Sequence, residues 1–337
     1  MTPPIAATAL PSLHIERTKA ASGRIPERRA LRARWLAACA LVAYGCAFRS
    51  VPQASQAKAT NEPAGTAANG TTVGNATRSS ARSGSLRVLS YNVAGLPGFL
   101  SSSHPGTNHA LISPLLNRYD LVFAQEDFAY HRQLVQSTKH LYSVSPLPPA
   151  STMFGDGLCG LSVFPLDLTT RVRWESCFGY FGYSSDCFGE KGFSMARAQL
   201  TRGVLVDVYN LHAEAGDSRE DQTTRRQGFL QLAAYIRRHS ASNAIILAGD
   251  TNLDTQKSAY DRSTFKDFVA NARLRDACRE SGCEHPGVDR VLFRSSAQLL
   301  FHAATYGIDP RFVDDEGQAL SDHLPVFVEL NWHATGD

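Results

Sequence analysis

Five apolar segments of this sequence end in, or just before, side chains that can hold a cation or move a proton. Segment 86–92 ends in Asn92, segment 119–126 in Glu126, segment 203–212 in His212 and segment 243–250 in Asp250. The fifth, 325–330, is preceded by Ser321-Asp322-His323-Leu324. Asn252 and Asp289 lie close to the same kind of run. Carboxylates, amides and imidazoles buried without partners each cost roughly several kcal/mol. They must satisfy one another, water or a metal ion. One polar strand end is ordinary, but five that converge have the character of an active-site rim.

The elements that must position these groups follow from the apolar pattern. Short runs without polar alternation indicate strands covered on both faces. Helices are expected between them at 109–118, 127–138, 219–239 and 261–273. In the third, Phe229, Leu232, Ala233 and Ile236 recur at helical spacing. Segment 274–320 offers little beyond Asp289.

The 337 residues, 43% of them hydrophobic, suffice for one sizeable core and not for many domains. The net charge of +3 hides an asymmetry. Residues 1–34 carry seven Lys/Arg against two Asp/Glu, and 35–84 carry four against one. Residues 85–337 then carry 23 against 28, a net of −5. A mildly acidic folded part argues against tight nucleic-acid binding, which wants a basic face.

Three regions are expected. In 1–48, Arg28, Arg29, Arg32 and Arg34 precede an apolar run over 35–48. That run is short for a membrane span and fits a signal peptide, with cleavage near Ser55 or Ala57. A lipoprotein-type site at Cys46 and an uncleaved anchor are the alternatives. Residues 49–84, rich in Ala, Thr, Ser, Gly and Asn, read as a linker with sequons at Asn69 and Asn75. Residues 85–337 form the catalytic domain. Export favours disulfides, and the local pairings Cys177–Cys187 and Cys278–Cys283 are expected, with Cys159 left over. Spacing alone does not fix connectivity. No CxxC or local Cys/His cluster announces zinc.

Six blocks occur in order: Ser90-Tyr91-Asn92-Val93, Gln125-Glu126-Asp127, Leu211-His212, Gly249-Asp250-Thr251-Asn252, Val288-Asp289-Arg290-Val291 and Ser321-Asp322-His323-Leu324-Pro325. Together they resemble the endonuclease/exonuclease/phosphatase (DNase I-like) superfamily. The resemblance spans about 90–325. It is nearest to the bacterial neutral sphingomyelinase-like branch, through His212, the 91–97 segment Tyr-Asn-Val-Ala-Gly-Leu-Pro, and Asp186-Cys-Phe-Gly-Glu-Lys-Gly-Phe-Ser. It implies an α/β (α+β) four-layered sandwich, two mixed β-sheets packed face to face with helices outside. It also implies hydrolysis of a phosphate ester by metal-assisted in-line attack of water.

The same resemblance assigns roles. Glu126 is the principal ligand of Mg²⁺, with Mn²⁺ or Co²⁺ as alternatives, since hard cations take oxygen ligands and few protein carboxylates. Asn92 is its neighbour, and Asp322 touches a second metal position or orients water. His323 is the general base and Asp289 its orienter. Asp250 and Asn252, alternating along an extended segment, position the nucleophile and bond the phosphoryl oxygens. His212, protonated, faces the leaving group. Asn210 and Glu214 flank it without a ranked role, and Asp127 points away from Glu126.

The substrate stays open between a phospholipid phosphodiester, which ranks first, a nucleic acid and a phosphomonoester. Phe178, Tyr180, Phe181, Tyr183 and Phe188 crowd around the Cys177–Cys187 stretch. Segment 178–188 is thus the expected place of peripheral membrane contact. For a nuclease, Arg197, Arg225 and Arg226 are the groove candidates. A monomer is expected.

Overall fold

The computed structural model describes residues 81–335, apart from 99, 100, 102, 103, 151, 180–185 and 285. The leader, most of the linker and the sequons fall outside the described residues. So does most of the aromatic segment 178–188. Among the described residues, no helix is long and apolar enough to cross a membrane.

Among the described residues, twelve strands form two six-stranded mixed sheets. The first holds β1 (Ser83–Asn92), β2 (Leu121–Gln125), β3 (Tyr142–Val144), β4 (Cys159–Ser162), β11 (Leu299–Ile308) and β12 (Val326–Ala334), in the order β11-β12-β1-β2-β4-β3. The second holds β5 (Leu166–Arg173), β6 (Gly192–Thr201), β7 (Val204–His212), β8 (Ile245–Asp250), β9 (Arg275–Asp276) and β10 (Asp289–Arg294), in the order β5-β6-β7-β8-β10-β9. Among the described residues, five α-helices complete the fold: α1 (Pro105–Leu115), α2 (His131–Val135), α3 (Arg219–His239), α4 (Ala259–Ala272) and α5 (Ala277–Glu280).

Strand alternation explains why the sheets stack. Leu86 and Val88 of β1 enter a core between the sheets with Phe123, Val206, Val208, Ile246, Ala248, Val291, Phe293 and Val328. Leu89 and Tyr91, on the opposite face, pack with Ile112 and Leu116 from the α1 region. On the second sheet, Tyr209, Leu211 and Leu247 turn outward onto Phe229, Leu232 and Ile236 of α3 and Phe268 of α4. Central strands covered on both sides require near-continuous apolar runs, which is what the sequence shows. The result is the expected four-layered α/β sandwich.

Helix α3 spans the expected residues because its start is well capped. The Ser218 hydroxyl accepts from the Asp221 N–H, and the Asp221 carboxylate accepts from the Ser218 N–H. The expected helix over 127–138 contracts to His131–Val135. Glu126 has φ 58, and the Phe128 N–H bonds back to the Glu126 carbonyl. A left-handed residue followed by a turn cannot start a helix. The expected helix over 109–118 begins earlier, with Pro105 at its first turn, and ends in a 3-10 turn over Leu116–Arg118. Segment 274–320 is not quiet. It supplies β9, α5, β10 and β11.

Both local disulfides are formed, Cys177–Cys187 and Cys278–Cys283, and Cys159 is free and buried.

Candidate active site

The central strands deliver the site. β1 runs parallel to β2, with Asn92 opposite Gln125, and β7 runs parallel to β8, with His212 opposite Asp250. Their C-terminal ends carry the polar residues. β10 runs antiparallel to β8 and starts with Asp289 opposite Asp250. β12 runs antiparallel to β1, with Val326 opposite Ser90, so His323 just before it falls at the same edge. The Ser321 hydroxyl fixes that turn by donating to the Asn92 carbonyl at 2.7 Å, and the His323 N–H donates to Ser321 Oγ at 3.2 Å.

Two clusters meet at Asp250. His323 Nδ1 lies 2.9 Å from Asp289 Oδ2, and its Nε2 lies 3.7 Å from Asp250 Oδ2. Asn92 Nδ2 donates to Glu126 Oε1 at 3.0 Å and to Asp250 Oδ2 at 3.2 Å. His212 Nε2 lies 3.5 Å from Asp250 Oδ2 and 3.7 Å from Glu126 Oε1. The fold therefore joins Asn92, Glu126, His212, Asp250, Asp289 and His323 over 34 to 231 residues of sequence. Asp322 is exposed beside them, and its charge is felt by Glu126, Asp289 and His323.

Electrostatics separates the groups. Burial opposes ionisation of Asp250, but the charges of His323 and Lys191 work against it, and its carboxyl lies below the usual range. Burial pushes Glu126 and Asp289 up. For His323, burial favours the neutral ring, yet Asp289 and Asp250 hold its pKa well above the ordinary 6.5. His212 goes the other way. Burial and the nearby Lys191 cation hold it well below 6.5. That direction opposes the protonated form expected from the sequence, and the backbone carbonyl of His212 accepts from Trp174 Nε1 at 2.8 Å.

Lys191 is the residue that sequence reasoning passed over, although its block was legible. Its ammonium pairs with Asp186 at 2.5 Å and reaches the Ala213 carbonyl at 3.3 Å. Burial disfavours the charge, but Asp186, Glu126 and Asp250 keep it. A lysine cation at 191 thus acts on the same Glu126 and Asp250 carboxylates that His212 approaches. Glu214, pushed up to about 8 mainly by burial and Asp186, accepts from the Phe178 N–H at 2.8 Å and ties the disulfide segment to this edge. Asn210 sits below the site as a strut between the sheets, bonding Gln125 Nε2 and the Ala124 and Cys159 carbonyls.

Asn252 departs from expectation. The segment after β8 is not extended, because Asn252 has φ 49 and its N–H donates to Asp250 Oδ1 in an Asx turn. Its amide donates to the Ala213 carbonyl at 3.1 Å, which makes it a positioning residue. The nuclease-groove arginines are also accounted for otherwise. Arg197 pairs with Asp207, Arg225 with Asp261 and Arg226 with Asp267.

Two glycines permit the close approach. At Gly249, with φ 153, a Cβ would lie 2.1 Å from the Leu211 carbonyl. At Gly95 it would lie 2.3 Å from the Glu126 carbonyl, to which the Gly95 N–H donates at 2.9 Å. Gly95→Ala is expected to displace Glu126 and lower turnover by about 10²-fold, as misplacement by about 1 Å does. Unchanged activity, measured beside a thermal melt that reports folding, would show that Glu126 is not fixed from this side.

The residues fit a hard cation. Glu126 is a carboxylate with 22% of its side chain open, beside the Asn92 amide and the Asp250 carboxylate. Mg²⁺ keeps several waters and takes one or two carboxylates. Asp250, Asp289 and His323 also place ligand atoms within 4.8 Å of one another.

The family model "Endonuclease/Exonuclease/phosphatase family 2" matches residues 107–281, just over half of the chain. A sphingomyelinase of Mycobacterium bovis is 33% identical over 275 residues, covering 75% of this chain and 54% of its own length. The chain thus spans about half the length of that relative. The structure of a sphingomyelinase C from Streptomyces griseocarneus superposes with a TM-score of 0.55 at 21% identity, over 73% of this chain and 99% of that one. A beta toxin variant from Staphylococcus aureus, with bound magnesium ions, gives 0.54 at 17% identity, over 75% and 100%. These structures share the fold.

Proposed function

The chain belongs to the endonuclease/exonuclease/phosphatase family, and we propose that it is an exported, Mg²⁺-dependent phosphodiesterase acting on a sphingomyelin-like phospholipid. The observation that carries this reading is the His323 ring, held by Asp289 at 2.9 Å and aimed at Asp250 across 3.7 Å. A base oriented by one carboxylate and facing another suits deprotonation of a water between them.

In this reading His323 Nε2 takes the proton of the attacking water, while Asp289 accepts from Nδ1–H and fixes the tautomer. Asp250 orients the same water. The Asn92 amide and the Lys191 ammonium donate toward the phosphoryl oxygens, and neutral His212 donates from Nε2 toward the leaving oxygen. Glu126 and Asn92 would hold Mg²⁺, with the Asp322 carboxylate as a further candidate ligand. When bound, that cation offsets phosphoryl charge that the chain alone leaves unbalanced.

A lipid is favoured over a nucleic acid by charge. The domain carries a net of −5, and the three groove arginines are paired internally. Phe178, 41% exposed next to Cys177, begins the segment assigned to membrane contact. Export rests on the basic and apolar leader, and a monomer is the assembly assigned.

Full-length protein offered sphingomyelin vesicles or supercoiled plasmid tests the substrate. Phosphocholine release that falls by more than about 10²-fold when EDTA replaces Mg²⁺ is the expected result, with plasmid intact. Plasmid nicking without lipid cleavage would transfer the site to nucleic acid. Cleavage of phosphomonoesters alone would overturn both.

A further inference from the structure

Behind Glu126, on the outer side of the first sheet, three donors of different chemistry meet. Asp127 points away from the catalytic edge, is fully buried, and holds His131 Nδ1 at 2.5 Å through Oδ2. Cys159 opens β4, opposite Ala124 of β2, and is also fully buried. A carboxylate oxygen, an imidazole nitrogen and a thiol sulfur from these residues lie within 4.8 Å of one another. Their sequence separation, 4 residues and then 28, matches no local zinc pattern.

A second observation points to a missing ligand. Asp127 Oδ1 is buried and meets no donor except the Cys159 thiol, whose proton a metal ion would displace. His109, a wholly buried residue of α1, bonds the Pro105 backbone and feels the charges of Asp127 and His131. A buried carboxylate oxygen so poorly served costs about 1–3 kcal/mol and calls for an explanation such as an ion. Nothing in the proposed hydrolysis uses them.

We propose that Asp127, His131 and Cys159 form a binding site for a borderline-soft divalent cation of the Zn²⁺ or Co²⁺ type, separate from the hard-cation site at Glu126. Thiolate, imidazole and carboxylate are the donors such ions take, whereas Mg²⁺ avoids sulfur and nitrogen. The thiol binds a metal as its thiolate, which favours a cation of high sulfur affinity. On binding, the S–H bond breaks, the proton leaves to solvent and sulfur donates its pair to the metal. His131, with 32% of its side chain exposed, provides the way in.

Cobalt supplies the readout, because a thiolate-to-cobalt charge-transfer band in the near ultraviolet requires sulfur ligation, and the catalytic cluster has no sulfur. The full chain would carry Cys39→Ser and Cys46→Ser, which leaves Cys159 as the single thiol outside the two disulfides. One Co²⁺ per chain is expected to give the band. Cys159→Ser should abolish it, His131→Ala should weaken affinity by more than about tenfold, and His323→Ala should leave it in place. If Cys159→Ser does not fold, the half-exposed His131→Ala carries the test alone. Absence of a sulfur band, or a band indifferent to His131→Ala, would overturn the site.

Discussion

Replacing His323 with alanine is expected to lower kcat by about 10²–10⁴-fold, the usual contribution of a positioned general base, with the fold retained. The pH profile separates this role from a structural one. His323 must be neutral to accept a proton, so activity rises with pH through its pKa. Although burial pushes that pKa down, Asp289 and Asp250 raise it well above 6.5. Asp289→Asn removes the anion with the largest effect among Asp289, Asp250 and Asp322, and should move the acid limb toward lower pH while lowering kcat. The stability effect has the opposite sign. A histidine whose folded pKa is raised contributes fully below its unfolded value and loses that contribution as pH rises through the folded one. The His323–Asp289 pair is therefore strongest where the enzyme is least active. An Asp289→Asn profile that keeps the wild-type limb would remove Asp289 from the role of orienter.

The second large effect is on stability. Arg225 of α3 is 1% exposed in its side chain. It pairs with both carboxylate oxygens of Asp261, at 3.1 and 3.3 Å. It also donates to the carbonyls of Glu214 and Gly216, at 2.8 and 3.0 Å. One guanidinium thus fastens α4 and the loop after His212 to α3. Arg225→Ala leaves a buried carboxylate alone and should cost about 3–5 kcal/mol. Urea denaturation would measure it. The double change Arg225→Met with Asp261→Leu removes both charges and should be less damaging than Arg225→Ala alone. A single-mutant cost below about 1 kcal/mol would mean that water takes over the pairing.

Much of this arrangement was readable from the sequence because the physics is local. Strands buried on both faces must be apolar throughout, so a polar residue ending one stands out. Asn92, Glu126, His212 and Asp250 were visible for that reason. Helix α3 was visible through its 3–4 spacing. The two short disulfides fit pairs only 10 and 5 residues apart.

What was missed depends on non-local packing. β11 alternates buried and exposed residues at the edge of its sheet, and its Ala, Thr and Gly dilute the strand signal. Lys191 lies 65 residues from Glu126, and only the stacking of two sheets brings its charge to the site. Asn252 looked like the partner of Asp250 on an extended strand. Its positive φ turned that alternation into a backbone turn. His212 had the right place, but only the burial seen in three dimensions pushes its pKa down. Arg225 and Arg226 read as groove cations from type alone, whereas their carboxylate partners stand 36 and 41 residues away on α4.

The most direct test of the proposed chemistry is hydrolysis of sphingomyelin in water enriched with heavy oxygen, with the products weighed by mass spectrometry. In-line attack of water on phosphorus places one heavy oxygen in the released phosphocholine and none in the lipid alcohol. Label in the alcohol, or phosphocholine released without label, would contradict attack of water at phosphorus and with it the assignment of His323 as the base.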